Sequence, residues 1–476
     1  MRPVAGTWDS VQEDRATGAI VGMAVGNALG NGYAFESAMT PQIQMRPGGL
    51  GPYEAGEWAD DTAMAVPILE AISNGEDLLA ESTMDRVASR WAQWFTEARD
   101  VAPAVAAVLA GYNASRGAGS LRDMATELHE ARPSEPPGNG SLMRTTPLTL
   151  GGLEDPDLLA RGARAYSHLT HGSPEAADAC LLLNLAQRHA ILTGEFELAA
   201  GLGWIPADRR DTWENSITRA EIGVPRDFAI RNGLAVQMLQ TVWSAIIHSD
   251  RSEPRFEDTL RTVIAAGGDT ATSGAIAGGL LGARWGVSSI PLEWRRRLHG
   301  WPGLRDRDLI RSVWESLFGR SWPSVFEHDP FLQAAVPHPL DPHVWLGGLA
   351  GLRPLPDGVD AVVSLCRVGR DQTPQPAVAP EEHVSVWLVD SEDPAMNPNL
   401  ESVTAQTVEL VARLRDEGRT VYLHCSDGRS RSPFVAAMYG ARLRAIPAIE
   451  VLRQIRGVMP SASPNPLFER MLATHA

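Results

Sequence analysis

Two stretches of the chain carry a glycine at every fourth position, and this spacing limits what they can fold into. The first series runs from Gly18 to Gly30 and the second from Gly274 to Gly282. Residues four apart lie on one face of an α-helix, so each series forms a smooth ridge that another helix can approach closely. Because 21% of the residues are charged, as in ordinary soluble proteins, the ridges indicate tight helix packing rather than a membrane dimer motif.

The chain has 476 residues, enough for two domains, and its pattern changes near residue 320. From about Val11 to Leu317, small and apolar residues recur at helical spacings. A proline-rich stretch without periodicity extends from Arg320 to Pro342, and β-type runs alternate with helical segments after it. We therefore expect an all-α domain at 11–325, a linker at 326–340 and an α/β domain with a central sheet at 341–476.

Composition excludes several classes of function. The formal net charge of -16 argues against nucleic acids and anionic membranes as partners. All 42 basic residues are arginine, which excludes Schiff-base chemistry and a lysine-dependent phosphate loop. Three cysteines are too few for a disulfide framework. Neither a signal-peptide pattern nor an apolar stretch long enough to span a membrane is present, so we expect a cytoplasmic protein.

The sequence HCSDGRSRSP, from His424 to Pro433, places a cysteine between an apolar strand and a helix. Gly428 supplies the flexible backbone of the turn, and Pro433 suits the first turn of the helix. In such a strand–loop–helix, backbone N–H groups and the positive helix end point at one place. These groups and Arg431 stabilise a thiolate at Cys425 and bind a phosphate, so the nucleophile and phosphorus are held together.

This stretch resembles the H-C-x-x-G-x-x-R-S signature of the cysteine-dependent protein tyrosine and dual-specificity phosphatases. The resemblance implies an α/β domain that acts on a phosphorylated substrate without a cofactor. It implies that Cys425 is the nucleophile and that Arg431 holds the phosphoryl oxygens. Ser432 then assists the thiolate as a leaving group, and His424 holds the loop by hydrogen bonds. The phosphate-binding loop consists of Ser426, Asp427, Gly428, Arg429 and Ser430.

A phosphatase of this kind needs a general acid to protonate the leaving oxygen. In the family this acid is an aspartate on a loop upstream of the cysteine, and WLVDSEDP offers Asp390 and Asp393. We prefer Asp390, because it directly follows the apolar strand. Cys366 ends another apolar run and is interpreted as a small buried core residue. In some members of the superfamily a cysteine there forms a reversible disulfide with the nucleophile.

Four short blocks stand out in the helical region. Adjacent acids at Asp60 and Asp61, and Asp269 followed by Thr272, suit a hard cation with oxygen ligands. An Asp–Asp pair is also common at an ordinary helix N-terminus. The glycine-rich GNGSLMR loop suits a sugar or a diphosphate. The blocks are GNALGNGYAFE at 26–36, GEWADDTAM at 56–64, GNGSLMRTTPL at 138–148 and GGDTATSGAIAGG at 267–279.

In this order the blocks resemble the ADP-ribosylglycohydrolase family over about residues 11–317. The resemblance implies an all-α fold with two Mg2+ or Mn2+ ions between helices, which orient the ribose and activate water. The implied substrate is an ADP-ribosylated protein or a small molecule that contains ADP-ribose. The resemblance assigns Asp60, Asp61, Asp269, Thr272 and Asp100 to the metals and Asn139, Gly140, Ser141, Met143 and His171 to ADP-ribose.

The chain departs from the family pattern at four positions. Asn27 and Ala34 replace acids, Ala59 replaces a hydroxyl residue, and Ala271 replaces the second aspartate of G-D-T-D-T. These changes remove metal ligands, so we expect at least one ion to bind weakly. Two hypotheses therefore stay open: a glycohydrolase fused to a phosphatase, or an active phosphatase whose first domain binds ADP-ribose without cleaving it. A non-catalytic scaffold is disfavoured, because the second domain keeps its nucleophile, arginine and candidate acid.

Overall fold

The structure is a computed structural model that describes residues 8–36, 42–249, 256–319, 335–369 and 378–475. It divides into two compact units, one formed mainly by Gln12–Ile290 and the other by residues after 320. The first unit is helical and the second contains a mixed sheet with helices. This architecture confirms the predicted fold class, an all-α domain followed by an α/β domain.

The described residues up to 319 form helices and a short β-hairpin. Among the described residues, no helix is long and apolar enough to cross a membrane. The hairpin strands are β1 (His299–Gly300) and β2 (Leu304–Arg305). The helices are α1 (Ser10–Asn31), α2 (Asp60–Ser73), α3 (Glu81–Phe95), α4 (Pro103–Ala110), α5 (Ala118–Ala131), α6 (Leu148–Gly151), α7 (Pro156–His168), α8 (Pro174–Thr193), α9 (Ala207–Ile222), α10 (Pro225–Ala229), α11 (Ala235–His248), α12 (Phe256–Ala265), α13 (Thr270–Trp285), α14 (Leu292–Arg297) and α15 (Asp306–Phe318).

Helices α1 and α13 touch through their backbones at the two glycine ridges. A Cβ atom on Gly22 would lie 2.2 Å from the carbonyl oxygen of Gly278, and one on Gly278 would lie 2.0 Å from the oxygen of Gly22. One turn along, a Cβ on Gly26 would lie 1.9 Å from the oxygen of Gly274. Real Cβ contacts are never this short, so only glycine allows the two helices to approach so closely.

The second unit contains a five-stranded sheet of order β3-β4-β7-β5-β6. Strand β3 is antiparallel to β4, and the remaining neighbours are parallel. Apolar residues of the strands and of the helices form a large core cluster, and a second, smaller cluster contains Val362 and Tyr422. The elements are β3 (Val336–His338), β4 (Asp341–Gly347), β5 (Ala361–Ser364), β6 (His383–Ser385), α16 (Leu400–Asp416), β7 (Val421–His424), α17 (Arg431–Arg444), α18 (Ala448–Val458) and α19 (Pro466–Thr474).

Strand β7 lies in the middle of the sheet, and its four residues are buried. Its last residue, His424, is in register with Gly347 of β4 and Ser364 of β5. The carboxyl ends of these parallel strands meet at one edge, so the residue after β7 lies where three strand ends converge.

The first strand of the sheet starts at Val336, five residues before the predicted start of the α/β domain at 341. This strand lies at the end of the predicted linker, 326–340. The proline-rich sequence there has no strand periodicity, so the pattern did not predict a strand. The earlier part of that linker, up to residue 334, lies outside the described residues.

Replacing Gly278 with alanine should destabilise the first unit by roughly 1–3 kcal/mol or more, since the added methyl group overlaps the α1 backbone. Replacing Gly162 on α7 with alanine is the matched control, because a Cβ placed there meets no atom of the described residues within 4 Å, apart from its chain neighbours and the backbone of its own helix. That change should stabilise the helix by roughly 0.5–1 kcal/mol. Calorimetric melting of both variants tests the contact, and equal melting temperatures would contradict it.

Candidate functional sites

The first candidate site is the loop after β7. Cys425 is fully buried at its start, and residues 426–430 lead into α17. Gly428 has φ +79°, and a Cβ atom there would lie 2.8 Å from the carbonyl carbon of Gly347. The tight turn therefore requires glycine at this position, as the motif predicts. The turn brings the backbone between Cys425 and Arg431 into a short arc at the start of a fourteen-residue helix.

Arg431 has its guanidinium at this arc. Its Nη1 donates to the carbonyl oxygens of Leu365 (2.8 Å) and Leu388 (3.2 Å). Its Nη2 donates to Ser426 Oγ at 2.9 Å. Burial acts to lower the pKa of Arg431, but the surrounding groups, Cys425 first among them, raise it, so the side chain stays charged. Its Nε is buried, and none of the described residues accepts a hydrogen bond from it.

A chain of hydrogen bonds ends at the carbonyl oxygen of the cysteine. His424 Nδ1 lies 3.2 Å from the Cys425 carbonyl oxygen, so this nitrogen carries the proton. His424 Nε2 must then accept, and Ser364 Oγ donates to it at 2.6 Å. The Ser364 oxygen in turn accepts from His383 Nε2 at 2.8 Å. Burial lowers the pKa of His424 to about 4, in agreement with the neutral ring that this chain needs.

The two candidate acids have different surroundings. Asp390 accepts a hydrogen bond from Ser430 Oγ at 2.7 Å, and its Oδ2 lies 3.9 Å from Arg431 Nε. Asp393 is exposed, and its carboxylate accepts from the Ala395 backbone N–H at 3.0 Å, which caps the short turn that follows. The geometry therefore favours Asp390, although its role in catalysis stays a prediction.

Three further residues of this region were singled out from the sequence. Ser432 donates to the Gly347 carbonyl oxygen at 3.0 Å, so its hydroxyl must turn before it can assist a thiolate. Asp427 Oδ1 accepts from the Arg429 backbone N–H at 3.3 Å and lies 4.0 Å from Cys425 Sγ. Cys366 is buried, as expected for a core residue, and burial raises its pKa to about 12.

The second candidate site is a group of acids in the first unit. Asp60 and Asp61 begin α2, and Asp269 accepts from the Thr272 backbone N–H at the start of α13. Burial, Asp100 and Asp269 raise the pKa of Asp60 to about 7. Burial, Asp60 and Asp269 raise the pKa of Asp61 well above its ordinary value. The structure therefore brings the predicted acids close enough to repel one another.

Asn27 is the departure that most changes this site. Its Oδ1 accepts from the backbone N–H groups of Ala59 (2.9 Å) and Thr62 (3.3 Å). Because those partners can only donate, the Asn27 amide nitrogen faces Asp61 Oδ2, to which it donates at 2.7 Å. The buried carboxylate of Asp61 therefore accepts a hydrogen bond from a neutral side chain. An aspartate at position 27 would have added a second negative charge there.

A second side-chain amide, that of Asn139, donates a hydrogen bond to Asp269. Asn139 Nδ2 donates to Asp269 Oδ2 at 2.7 Å and to the Asn232 carbonyl oxygen at 3.0 Å. Asn232 Oδ1 accepts the backbone N–H of Asp269 at 2.9 Å. Sequence patterns did not single out Asn232, because an Asn-Gly pair in a loop is an ordinary turn signal. Since the Thr272 N–H donates to Oδ1, the protein supplies a hydrogen-bond donor to each carboxylate oxygen of Asp269.

The residues of this site do not fit a two-metal centre. No group of three His, Cys, Asp or Glu among the described residues is arranged to hold a metal ion. Asp61 Oδ1 is a buried oxygen without a hydrogen-bond partner among them, which a single cation or a shared proton could satisfy. Glu36, two residues after Ala34, forms an ion pair with Arg46. The predicted Mg2+ or Mn2+ pair would therefore find fewer oxygen ligands here than the family pattern provides.

The glycine-rich loop at 138–144 lies beside these acids. Arg144 is fully buried and donates to the Gly140 carbonyl oxygen at 2.9 Å and to Thr170 Oγ1 at 2.5 Å. Thr170 must then give its own proton to His171 Nδ1, 2.8 Å away. Burial lowers the pKa of His171 to about 3, so the ring is neutral and carries its proton on Nε2.

A cavity of about 510 Å³ opens at this loop. His171 Nε2 lies 3.9 Å from a Cβ position built on Gly138, which also lines the cavity. Two predicted contacts face inward instead: Ser141 bonds to Ser167 Oγ at 2.9 Å, and Met143 is buried. The other lining residues are mostly apolar and include Pro103, Ala104, Ala107, Leu128 and Pro137.

Comparison with known proteins identifies the first unit. The ADP-ribosylglycohydrolase family model matches residues 9–323, about two thirds of the chain. The chain belongs to the ADP-ribosylglycohydrolase family. The ADP-ribosyl-[dinitrogen reductase] glycohydrolase of Rhodospirillum rubrum is 29% identical over 298 residues, which is 60% of this chain and 90% of that protein. The family thus covers the acids and the glycine-rich loop described above.

The remaining part resembles dual-specificity phosphatases. The dual specificity protein phosphatase PHS1 of Arabidopsis thaliana is 28% identical over 117 residues, 24% of this chain and 12% of that protein. The crystal structure of human DUSP28 is 25% identical with a TM-score of 0.24, and the match covers 30% of this chain and 92% of that one. The C-terminal part of this ADP-ribosylglycohydrolase family member is thus similar in sequence to a segment of a dual-specificity phosphatase.

The neutral state of His424 predicts a pH dependence of stability. Its folded pKa, about 4, lies below the unfolded value. Between these two pKa values the unfolded chain binds a proton at His424 that the folded unit does not bind. The free energy of unfolding therefore falls as the pH drops from the unfolded pKa toward the folded one. His424→Asn should reduce the loss between about pH 7 and about pH 4.5 by roughly 2–3 kcal/mol. Urea unfolding at the two pH values measures this loss of stability, and His475→Asn, a change at an exposed histidine, is the control. If His424→Asn lost as much stability as the wild type, His424 would not be the group responsible.

Proposed function

We propose that the second unit is a cysteine-dependent phosphatase that works through a phospho-cysteine intermediate. The observation that carries this proposal is the buried Nε–H of Arg431, which has no acceptor among the described residues. An unpaired donor on a buried cation is costly, and an anion beside it satisfies the donor. A phosphoryl group in the arc of residues 426–431 would meet this donor and lie next to Cys425. The similarity to dual-specificity phosphatases supports the same chemistry.

In this mechanism Cys425 Sγ attacks phosphorus, and a bond between sulfur and phosphorus forms as the bond to the leaving oxygen breaks. Arg431 and the backbone N–H groups of the loop stabilise the charge on the equatorial oxygens. Asp390 gives a proton to the leaving oxygen. Water then attacks the phospho-cysteine while Asp390 takes its proton, and phosphate and the thiolate are released.

Cys425→Ser should lower phosphate release from a phosphotyrosine peptide by more than about a thousandfold, because the hydroxyl is a far weaker nucleophile. Cys366→Ser is the matched control, since this second buried thiol lies outside the proposed reaction and should leave most of the activity. Rapid quenching of the wild-type protein with labelled substrate should trap phosphate on Cys425. Undiminished activity of Cys425→Ser would refute the phosphatase proposal.

For the first unit we propose binding of an ADP-ribosyl group without a two-metal centre. The support is the pair of amides that occupy Asp61 and Asp269, together with the cavity that His171 and the glycine-rich loop line. The ligand would come from an ADP-ribosylated protein, the kind of substrate named for the Rhodospirillum rubrum relative. A family hydrolase with this site would bind its ligand tightly and cleave it slowly or not at all.

Calorimetric titration of ADP-ribose into the full-length protein should give the same affinity in EDTA and in Mn2+. His171→Ala should weaken binding roughly tenfold, the value of one well-placed hydrogen bond. His168→Ala is the control, because that ring lies next to Thr126 on the surface, 3.1 Å from its hydroxyl. Binding that requires Mn2+, or metal-dependent release of ADP-ribose from a modified protein, would overturn this proposal in favour of the two-metal glycohydrolase.

A further inference from the structure

The carboxylate of Asp390 is held by two side chains that the phosphatase motif does not account for. Ser430 Oγ donates to Asp390 Oδ1 at 2.7 Å, and Asn465 Nδ2 donates to the same oxygen at 2.9 Å. Asn465 lies far along the chain, in the segment that precedes α19. The other carboxylate oxygen, Oδ2, lies 3.9 Å from Arg431 Nε.

The orientation of the Asn465 amide is decided by a backbone donor. Asn465 caps α19, and its Oδ1 accepts the Phe468 N–H at 3.0 Å. A backbone N–H cannot accept a hydrogen bond, so the amide oxygen must face the helix. The amide nitrogen then has to face Asp390. The same side chain therefore starts a helix and donates to the candidate acid.

The direction of the Ser430 hydrogen bond follows in the same way. The Asn465 backbone N–H donates to Ser430 Oγ at 3.1 Å, so this oxygen already accepts one hydrogen bond. Ser430 therefore uses its own proton for Asp390. Ser430 is buried in the loop immediately before Arg431, which ties the candidate acid to the loop that would bind phosphate.

Further contacts fix the positions of Asn465 and Asp390. The ring of Phe468 on α19 stacks on Phe434 of α17, with centroids 4.4 Å apart. Helix α17 begins at Arg431, so α19 is fixed to the helix that carries the phosphate-binding arginine. The side chain of Asn397 bonds both ways to the backbone of Val389, at 2.8 and 2.9 Å, and so fixes the residue before Asp390.

We propose that Asn465 and Ser430 are positioning residues that bind Asp390 Oδ1, so that Oδ2 is the oxygen that transfers the proton. This inference rests on the phosphatase function proposed above. When the bond between phosphorus and the leaving oxygen breaks, that oxygen keeps the electron pair and takes the proton from Oδ2. In the second step Oδ2 takes a proton from the attacking water. Oδ1 keeps its two donors throughout, so the carboxyl group does not rotate.

The test compares substrates whose leaving groups need the acid to different extents. Asn465→Ser keeps a helix-capping hydroxyl but is too short to reach Asp390. With a phosphotyrosine peptide, kcat should fall roughly 10- to 100-fold, because tyrosine is a basic leaving group that needs protonation. With p-nitrophenyl phosphate, whose leaving group is far less basic, kcat should fall by less than about threefold. Ser430→Ala should show the same selectivity.

Glu469→Gln is the matched control, because Glu469 lies on α19, the helix that Asn465 caps, and the change breaks its ion pair with Arg456 of α18 without removing a donor to Asp390. This variant should change kcat only slightly, and to the same extent with both substrates. An equal loss for both substrates in Asn465→Ser would overturn the inference, because a merely loosened loop slows the attack of Cys425 on either substrate. Cys425→Ser separates the two proposals: if that variant stays active, the phosphatase function itself fails.

Discussion

Buried charges need partners, and in both units of this protein the partners include amides, hydroxyls and backbone carbonyls. An unpaired charge in the interior costs a free energy comparable to the stability of a whole domain. Arg431 therefore donates to the carbonyl oxygens of Leu365 and Leu388, and Asp61 accepts from Asn27. Because a backbone N–H can only donate and a carbonyl can only accept, each such contact also decides which way a side chain points. The amides of Asn27 and Asn465 are oriented in this way.

The need of buried charges for partners is met differently in the two sites. In the phosphatase-like unit, one buried donor of Arg431 lacks an acceptor among the described residues, which prepares the loop for an anion. In the ADP-ribosylglycohydrolase unit, amide donors occupy oxygens of Asp61 and Asp269, which makes the site less suited to cations. Membership of a hydrolase family thus describes the fold of the first unit. Its chemistry depends on the individual side chains at positions such as 27 and 271.

Local patterns predicted much of the fold and part of the sites. The motif around Cys425 is a strand, a turn and a helix that are consecutive in the chain, so residue types and spacing were enough to place Gly428 and Arg431. The preference for Asp390 over Asp393 agrees with the contact between Asp390 and Ser430. Asn465 and Asn232 were missed, because they reach the acids they bind across 75 and 37 positions of the chain. Contacts over such distances leave no periodic signal in a single sequence. The same is true of Ser364, which orients His424 from a neighbouring strand.

The sequence by itself determined the helices of the first unit, its two glycine ridges, and the strand–loop–helix that presents Cys425, since periodicity and residue type act on neighbours along the chain. Only the tertiary structure decided that one ridge packs on the other, that Asn27 turns its amide nitrogen toward Asp61, and that Asp390 offers one oxygen to the loop. The physical reason is that packing and hydrogen bonding act through space. A residue that is small or polar in the sequence acquires its partner only when distant elements come together.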